Sequence, residues 1–161
     1  MRKHGAITSG TGLMETDNDT VNLPPRKHLP VIEDGPRGEY WRSGADGVLR
    51  ITRCQPCGFW IHPHKEACPS CHSREVMPEA VSGKATLETW TINRQKWFRG
   101  LDEPFVVGLV TLVEQDGLNL TTNIVNCPFD QLEFGMPVRL IFQNIEDVWL
   151  PLFEPDRMSP E

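Results

Sequence analysis

The sequence predicts a mainly β protein in which a short helix and a metal-stapled ribbon precede a five-stranded barrel. Three observations carry this prediction. Two Cys-x-x-Cys pairs, Cys54/Cys57 and Cys68/Cys71, stand with ten residues between them. Five segments of strand-like composition follow, with turn signals between them. A chain of 161 residues with 39% hydrophobic content can bury one ordinary core and carry a small appended module.

Residues 1–35, rich in Gly, Thr, Asn, Asp and Pro, show no sustained apolar period and read as a flexible arm. Residues 36–47 can make one or two helical turns that present Tyr40 and Trp41, stopped by Gly44 and Gly47. Residues 48–78 form the predicted ribbon, entered by the alternating strand Val48 to Arg53. Residues 79–155 hold strands expected at Ala80 to Asn93, Phe105 to Glu114, Leu118 to Val125, Pro137 to Asn144 and Val148 to Phe153. Asp116-Gly117 predicts a tight hairpin, because glycine accepts the positive φ that such turns require. Asn144 to Asp147 predicts a second turn, and Pro128 to Gly135 a single helical turn crossing a compact OB-like barrel. Residues 156–161 are a short tail.

Charge and composition weigh against several function classes. Asp and Glu total 22 against 16 Lys and Arg, a net charge of -6, so there is no long-range attraction for a polyanion and the sequence argues against nucleic-acid binding. No run of some 18 apolar residues suggests a membrane span, and Met1 to Gly10 lacks the apolar stretch of a secretory signal. Five cysteines, four of them in two tight pairs, suit a metal in a reducing compartment better than a disulfide framework. A soluble, cytoplasmic protein is expected.

The chemistry lies in Cys54-Gln-Pro-Cys57-Gly58 and Cys68-Pro-Ser-Cys71-His72. Each pair puts two thiolates on one turn, and two turns complete a tetrahedral shell with zinc–sulfur distances of about 2.3 Å. A shell of four thiolates leaves no position for water or substrate, so one structural zinc per chain is expected. The same geometry can hold a single iron for electron transfer, and residue types alone do not separate the two metals. His72 stands where a second glycine is usual. His62, His64 and His72 are not needed as ligands, since four thiolates already satisfy the ion.

Between the first two barrel strands runs Asn93-Arg-Gln-Lys-Trp-Phe-Arg-Gly100, which is basic, aromatic and ended by glycine. Arg94, Lys96 and Arg99 can meet phosphates, while Trp97 and Phe98 can cover a ring or an acyl group. A solvated loop whose aromatics pack on the barrel explains the same residues equally well. Tyr40 and Trp41 join this candidate ligand- or partner-binding set. Trp41, Trp60, Trp90 and Trp149 suit a core or a subunit interface better than a substrate contact, and Cys127 reads as a small buried hydrophobe rather than a reactive thiol.

Taken together, several residues carry a resemblance. They are Tyr40-Trp41, Gly47-Val-Leu, the two cysteine knuckles with Pro63 between them, Ser82-Gly-Lys-Ala85, Pro104-Phe-Val-Val-Gly-Leu-Val and Gly135-Met-Pro-Val138. From about Gly38 to Pro155 the chain resembles the acyl-CoA-associated proteins that join a rubredoxin-like zinc ribbon to an OB-fold. It departs from them at His72, at His64-Lys65 and in its longer N-terminal arm. The resemblance implies a non-catalytic accessory subunit of a thiolase-like aldolase in a two-plus-two heterotetramer. The partner would cleave a steroid side-chain β-hydroxyacyl-CoA, with acyl-CoA at or near the interface. Other family members pair with different thiolases or with MaoC-like hydratases. A nucleic-acid module and an iron electron carrier are the competing classes.

Overall fold

The computed structural model describes residues 29–96 and 103–157. Most of the expected arm (1–28), the loop centre containing Trp97, Phe98 and Arg99, and residues 158–161 lie outside the described residues. None of the described helices is long and apolar enough to cross a membrane.

Helix α1 (Pro36–Arg42) begins on a proline, whose fixed φ suits a first helical turn. It passes into a 3-10 turn at Ser43–Asp46 and ends at Gly47, whose φ of 71° is left-handed and free of strain only for glycine. Beyond it the ribbon strands β1 (Arg50–Cys54), β2 (Trp60–Ile61) and β3 (Val76–Ala80) form an antiparallel sheet in the order β2-β1-β3.

The strand expected from Ala80 to Asn93 is present but begins four residues later, at Lys84. β3 ends at Ala80, and β4 (Lys84–Asn93) starts after a break at Gly83, whose φ is 76°. A Cβ there would lie 2.9 Å from the Leu140 Cβ, so glycine is required both for the bend and for the close approach. The two strands then serve different sheets, which no local alternation could reveal.

The barrel closes in the order β4-β5-β6-β8-β7, from β4, β5 (Phe105–Leu112), β6 (Asn119–Ile124), β7 (Pro137–Ile145) and β8 (Val148–Pro155). β6 and β8 run parallel, touching at Ile124 and Phe153, and Lys84–Thr86 against Pro137–Arg139 closes the ring. This is the five-stranded OB arrangement. Along β5 every second residue from Val106 to Leu112 is buried, as a strand with one core face requires. The Asp116-Gly117 turn is present, with Gly117 at φ 74° and the Leu118 amide donating to the Gln115 carbonyl at 3.0 Å. It sits in a wider connection than a two-residue hairpin, because pairing persists only to Leu112 and Leu118. The second turn falls at Glu146–Asp147, between β7 and β8, and the expected helical turn is a 3-10 turn at Phe129–Gln131.

Ribbon and barrel share one core. Leu49, Ile51 and Trp60 from the ribbon side pack with Leu87, Val110, Leu120 and Phe153 of the barrel. Each such aliphatic or aromatic side chain contributes about 1.5–3 kcal/mol on full burial. A second cluster on the outer face of β7 and β8 is covered by Leu29, Ile32 and Trp41. The 3-10 turn approaches so closely that a Cβ on Gly44 would lie 2.5 Å from the Trp149 Cβ.

Gln115 adds a polar clamp across the junction. The Trp60 amide donates to its Oε1 at 2.8 Å, and its Nε2 donates to the Trp60 carbonyl at 3.2 Å. Gln115→Ala is expected to cost about 1–2 kcal/mol, two ordinary hydrogen bonds, and to speed amide exchange at Trp60. Unchanged thermal stability and exchange in the variant would show that the shared core alone holds the modules.

Candidate metal centre and adjoining cleft

The four cysteines come from two chain reversals. In the first, the Gly58 amide donates to the Cys54 carbonyl at 2.9 Å, and the Cys54 amide donates to the Phe59 carbonyl at 2.9 Å. In the second, the His72 amide donates to the Cys68 carbonyl at 2.9 Å, and the Cys68 amide donates to the Ser73 carbonyl at 2.8 Å. The two turns share one design, and both place a left-handed residue after the second cysteine: Gly58 at φ 75° and His72 at φ 61°.

All four sulfurs lie within 4.8 Å of one another. Cys54 Sγ is 3.5 Å from Cys71 Sγ, and Cys57 Sγ is 3.6 Å from Cys68 Sγ. A tetrahedron with zinc–sulfur bonds of about 2.3 Å has edges of about 3.8 Å, so the cluster fits the ion, whereas a disulfide demands about 2.05 Å. Cys54 and Cys68 are buried, Cys57 and Cys71 exposed. Burial pushes the metal-free Cys54 thiol up to about 12. Burial acts the same way on Cys68, but the Cys71 and Ser70 amides and the neighbouring thiols draw it down to about 7. The Ser70 amide reaches Cys68 Sγ at 3.4 Å. Zinc, which binds thiolates, supplies the remaining charge compensation, and with all four positions taken by sulfur its role is structural.

Residues that carry no sequence signal brace this centre. Arg53 donates to the Gly58 carbonyl at 3.1 Å and to Glu79 at 2.9 Å, and its guanidinium lies 5.0 Å from the Trp60 ring centroid. Gln55 donates to the other Glu79 oxygen at 2.7 Å. The first knuckle is therefore tied to β3, whose partner residue lies 26 positions away in the chain. Only the sheet register brings them together.

The His72 conformation yields a prediction. A left-handed residue with a Cβ costs roughly 1 kcal/mol relative to glycine, so His72→Gly should raise the ribbon's stability by about that amount and Gly58→Ala should lower it. Thermal unfolding of the zinc-loaded variants is the check, and a destabilised His72→Gly protein would contradict it.

Beside the ribbon lies a cleft of about 560 Å³ formed by α1, β1, β2 and β6. Tyr40 and Trp41 line it and meet edge to face at 4.7 Å. A smaller groove of about 290 Å³, also lined by Tyr40 and Trp41, runs between β6 and β8. Neither is lined by Arg94 or Lys96. Arg94 instead sits 5.8 Å from the Phe129 ring centroid, near the 3-10 turn, and Lys96 is exposed. The candidate set is thus divided between a helix-lined cleft and the loop at the barrel mouth, with Trp97, Phe98 and Arg99 outside the described residues. Trp60 is a core residue, and Trp90 is half-buried against the 74% exposed Phe134 at 4.5 Å. Cys127 packs against the main core, and burial raises its thiol above the ordinary value.

A tetrathiolate ribbon sharing its core with a closed OB barrel defines a zinc-ribbon/OB protein. Two family models match it in tandem: the ChsH2 rubredoxin-like zinc ribbon domain over residues 41–76 and the ChsH2 C-terminal OB-fold domain over residues 78–143. A DUF35 domain-containing scaffold protein of Methanocaldococcus jannaschii is 30% identical over 111 residues, 66% of this chain and 77% of that protein. The chain belongs to this ChsH2/DUF35 family. A probable enoyl-CoA hydratase alpha subunit of Thermomonospora curvata is 32% identical over 143 residues, 88% of this chain but 43% of that subunit, so the chain spans less than half its length. Among solved structures, a chain of the Ltp2-ChsH2(DUF35) aldolase superposes with a TM-score of 0.67 at 30% identity, covering 79% of this chain and 98% of that one.

Proposed function

We propose that this chain is a non-catalytic accessory subunit that docks on and supports a thiolase-like enzyme acting on an acyl-CoA. The finer reading is retro-aldol cleavage of a steroid side-chain β-hydroxyacyl-CoA by a two-plus-two heterotetramer with one zinc in each chain of this type. The observation that carries the proposal is the likeness to the Ltp2-ChsH2(DUF35) aldolase chain, 98% of which this chain covers. The metal chemistry agrees with it, because a four-sulfur shell offers no open coordination position for catalysis. Zinc here substitutes for the core that a ribbon of some thirty residues is too small to build. Four cysteines gathered for a metal rather than joined as disulfides suit a reducing cytoplasm.

Exposed aromatics support a partner-facing surface at the barrel mouth. Phe134 is 74% exposed and meets the Trp90 ring at a tilt of 42°, and Phe129, 39% exposed, lies under Arg94. Solvent-exposed aromatics beside an arginine are the composition of an interface core. In this reading Arg94 and Lys96, with Trp97, Phe98 and Arg99 of the same loop, contact the partner or its CoA ester.

Co-purification with neighbouring gene products, with zinc analysis and an aldolase assay on the sample, tests the proposal. A thiolase-like protein in equal amount supports it, and a chain that purifies alone and stable removes its main support. The Thermomonospora curvata relative favours a second reading, in which the partner is a hydratase. Hydration of an enoyl-CoA by the co-purified complex, without aldol cleavage, would select it.

A further inference from the structure

We infer that the cleft between α1, the ribbon and β6 is a binding site for a small monoanion with a flat apolar body, an aromatic carboxylate in chemical class. Its volume of about 560 Å³ falls within the range of small-molecule sites, which prefer the junction of two modules. The inference concerns this chain alone and does not depend on the identity of the enzyme partner.

The shape argues for a ring. Ile51 and Ile61, both buried, form an apolar floor. Tyr40 and Trp41 make one wall, and the His62 imidazole lies tilted by 31° against the Tyr40 ring at 5.4 Å. Flat aromatic surfaces over an aliphatic floor accommodate a ring better than a branched or fully polar body.

The polar end argues for one negative charge. Two guanidinium groups line the cleft, but Arg50 is held by Asp46 at 3.1 Å and Glu39 at 3.7 Å. Arg37 has no carboxylate partner among the described residues, and no Asp or Glu lines the cleft although acids outnumber bases in this chain. Beside Arg37 stands His64, whose Nδ1 is 2.8 Å from Thr52 Oγ1; that bond fixes the ring and leaves Nε2 for a further partner. Burial, and then the Arg37 charge, hold His64 below its ordinary value, with Glu66 opposing, and burial lowers His62. Both imidazoles are thus neutral hydrogen-bonding groups at neutral pH. Asn119 and Thr121 of β6 add uncharged donors on the facing side. One guanidinium with no carboxylate partner among the described residues, set among neutral donors, matches a carboxylate; a phosphate dianion calls for more positive charge.

The test uses the full-length, zinc-loaded chain and nuclear magnetic resonance of its histidine rings. Three probes share one body: 2-naphthoate, 2-naphthylmethanol and 2-naphthyl phosphate. The expected result is saturable movement of the His62 and His64 ring signals with naphthoate, and weaker binding of the alcohol and the phosphate. Arg37→Ala should weaken naphthoate by about ten-fold, the loss of a charge-assisted hydrogen bond, while leaving the alcohol unchanged. Thr121→Phe, at an exposed strand position, should block all three probes without loss of zinc. Absence of saturable shifts at these histidines, equal affinity for acid and alcohol, or no response to Arg37→Ala overturns the inference. Tighter binding of the phosphate overturns the assignment to a carboxylate.

Discussion

Cys68→Ser is expected to empty the metal centre and melt the ribbon. Cys68 is 1% exposed and supplies one corner of a four-sulfur shell whose members lie within 4.8 Å of one another. Structural zinc in small modules carries about 10–16 kcal/mol of apparent binding free energy, as much as the whole stability of an ordinary domain, about 5–15 kcal/mol. The loss should not remain local. Ile51 and Trp60 hang from the ribbon strands and fill the core shared with the barrel, so their departure exposes Leu87, Val110 and Phe153. Zinc content should fall from one per chain to near zero and the melting transition should broaden or drop by tens of degrees. Cys127→Ser, which touches no other cysteine, should keep both metal and stability. Full zinc retention in Cys68→Ser would contradict the assignment of the four ligands, and a coloured, reversibly reducible protein would replace zinc by iron.

Phe153→Ala is expected to produce the second largest loss. This ring is fully buried and sits at the one register pair joining β6 to β8, where the Val125 amide also donates to the Phe153 carbonyl at 2.9 Å. Truncating a buried phenylalanine costs about 3–5 kcal/mol, the lost transfer energy together with that of the cavity left behind. For a domain of this size the melting temperature should fall by more than about 10 °C. Zinc should remain bound, because the sulfurs are held by turns remote from β8. Calorimetry with metal analysis separates the two variants: Cys68→Ser loses the ion first, Phe153→Ala loses the barrel first. A small effect in Phe153→Ala would mean that β6 and β8 are joined chiefly by the outer cluster of Val125, Leu150 and Leu152.

Much of this architecture is legible in the chain because it depends on neighbours in sequence. Cysteines three apart lie on one turn, and alternating residues such as Val106, Gly108, Val110 and Leu112 share one face of a strand. Gly47 and Gly117 mark reversals, since a positive φ is a local steric matter. His72 announced its own anomaly, standing where the first knuckle has Gly58, and its φ of 61° is the structural counterpart. What the local pattern misplaced was the start of the strand expected from Ala80 to Asn93, which begins at Lys84. A break within a β-rich run shows only in the Ser82-Gly83 dipeptide, and its purpose, handing the chain from one sheet to another, is a property of the whole fold.

The sequence by itself determined the ligand set, the five barrel strands and the absence of a polyanion-binding charge pattern, because each follows from spacing, alternation or net charge. The tertiary structure alone decided that ribbon and barrel share a core through Leu49, Ile51 and Trp60, and that Gln115 clamps the junction across 55 positions. It also decided that Arg53 and Glu79 brace the first knuckle and that Arg37, Tyr40, Thr52 and His64 face one cleft. These contacts join residues far apart in the chain. Their energies arise from burial and hydrogen bonding between surfaces that meet only after the barrel has closed and the ribbon has packed against it.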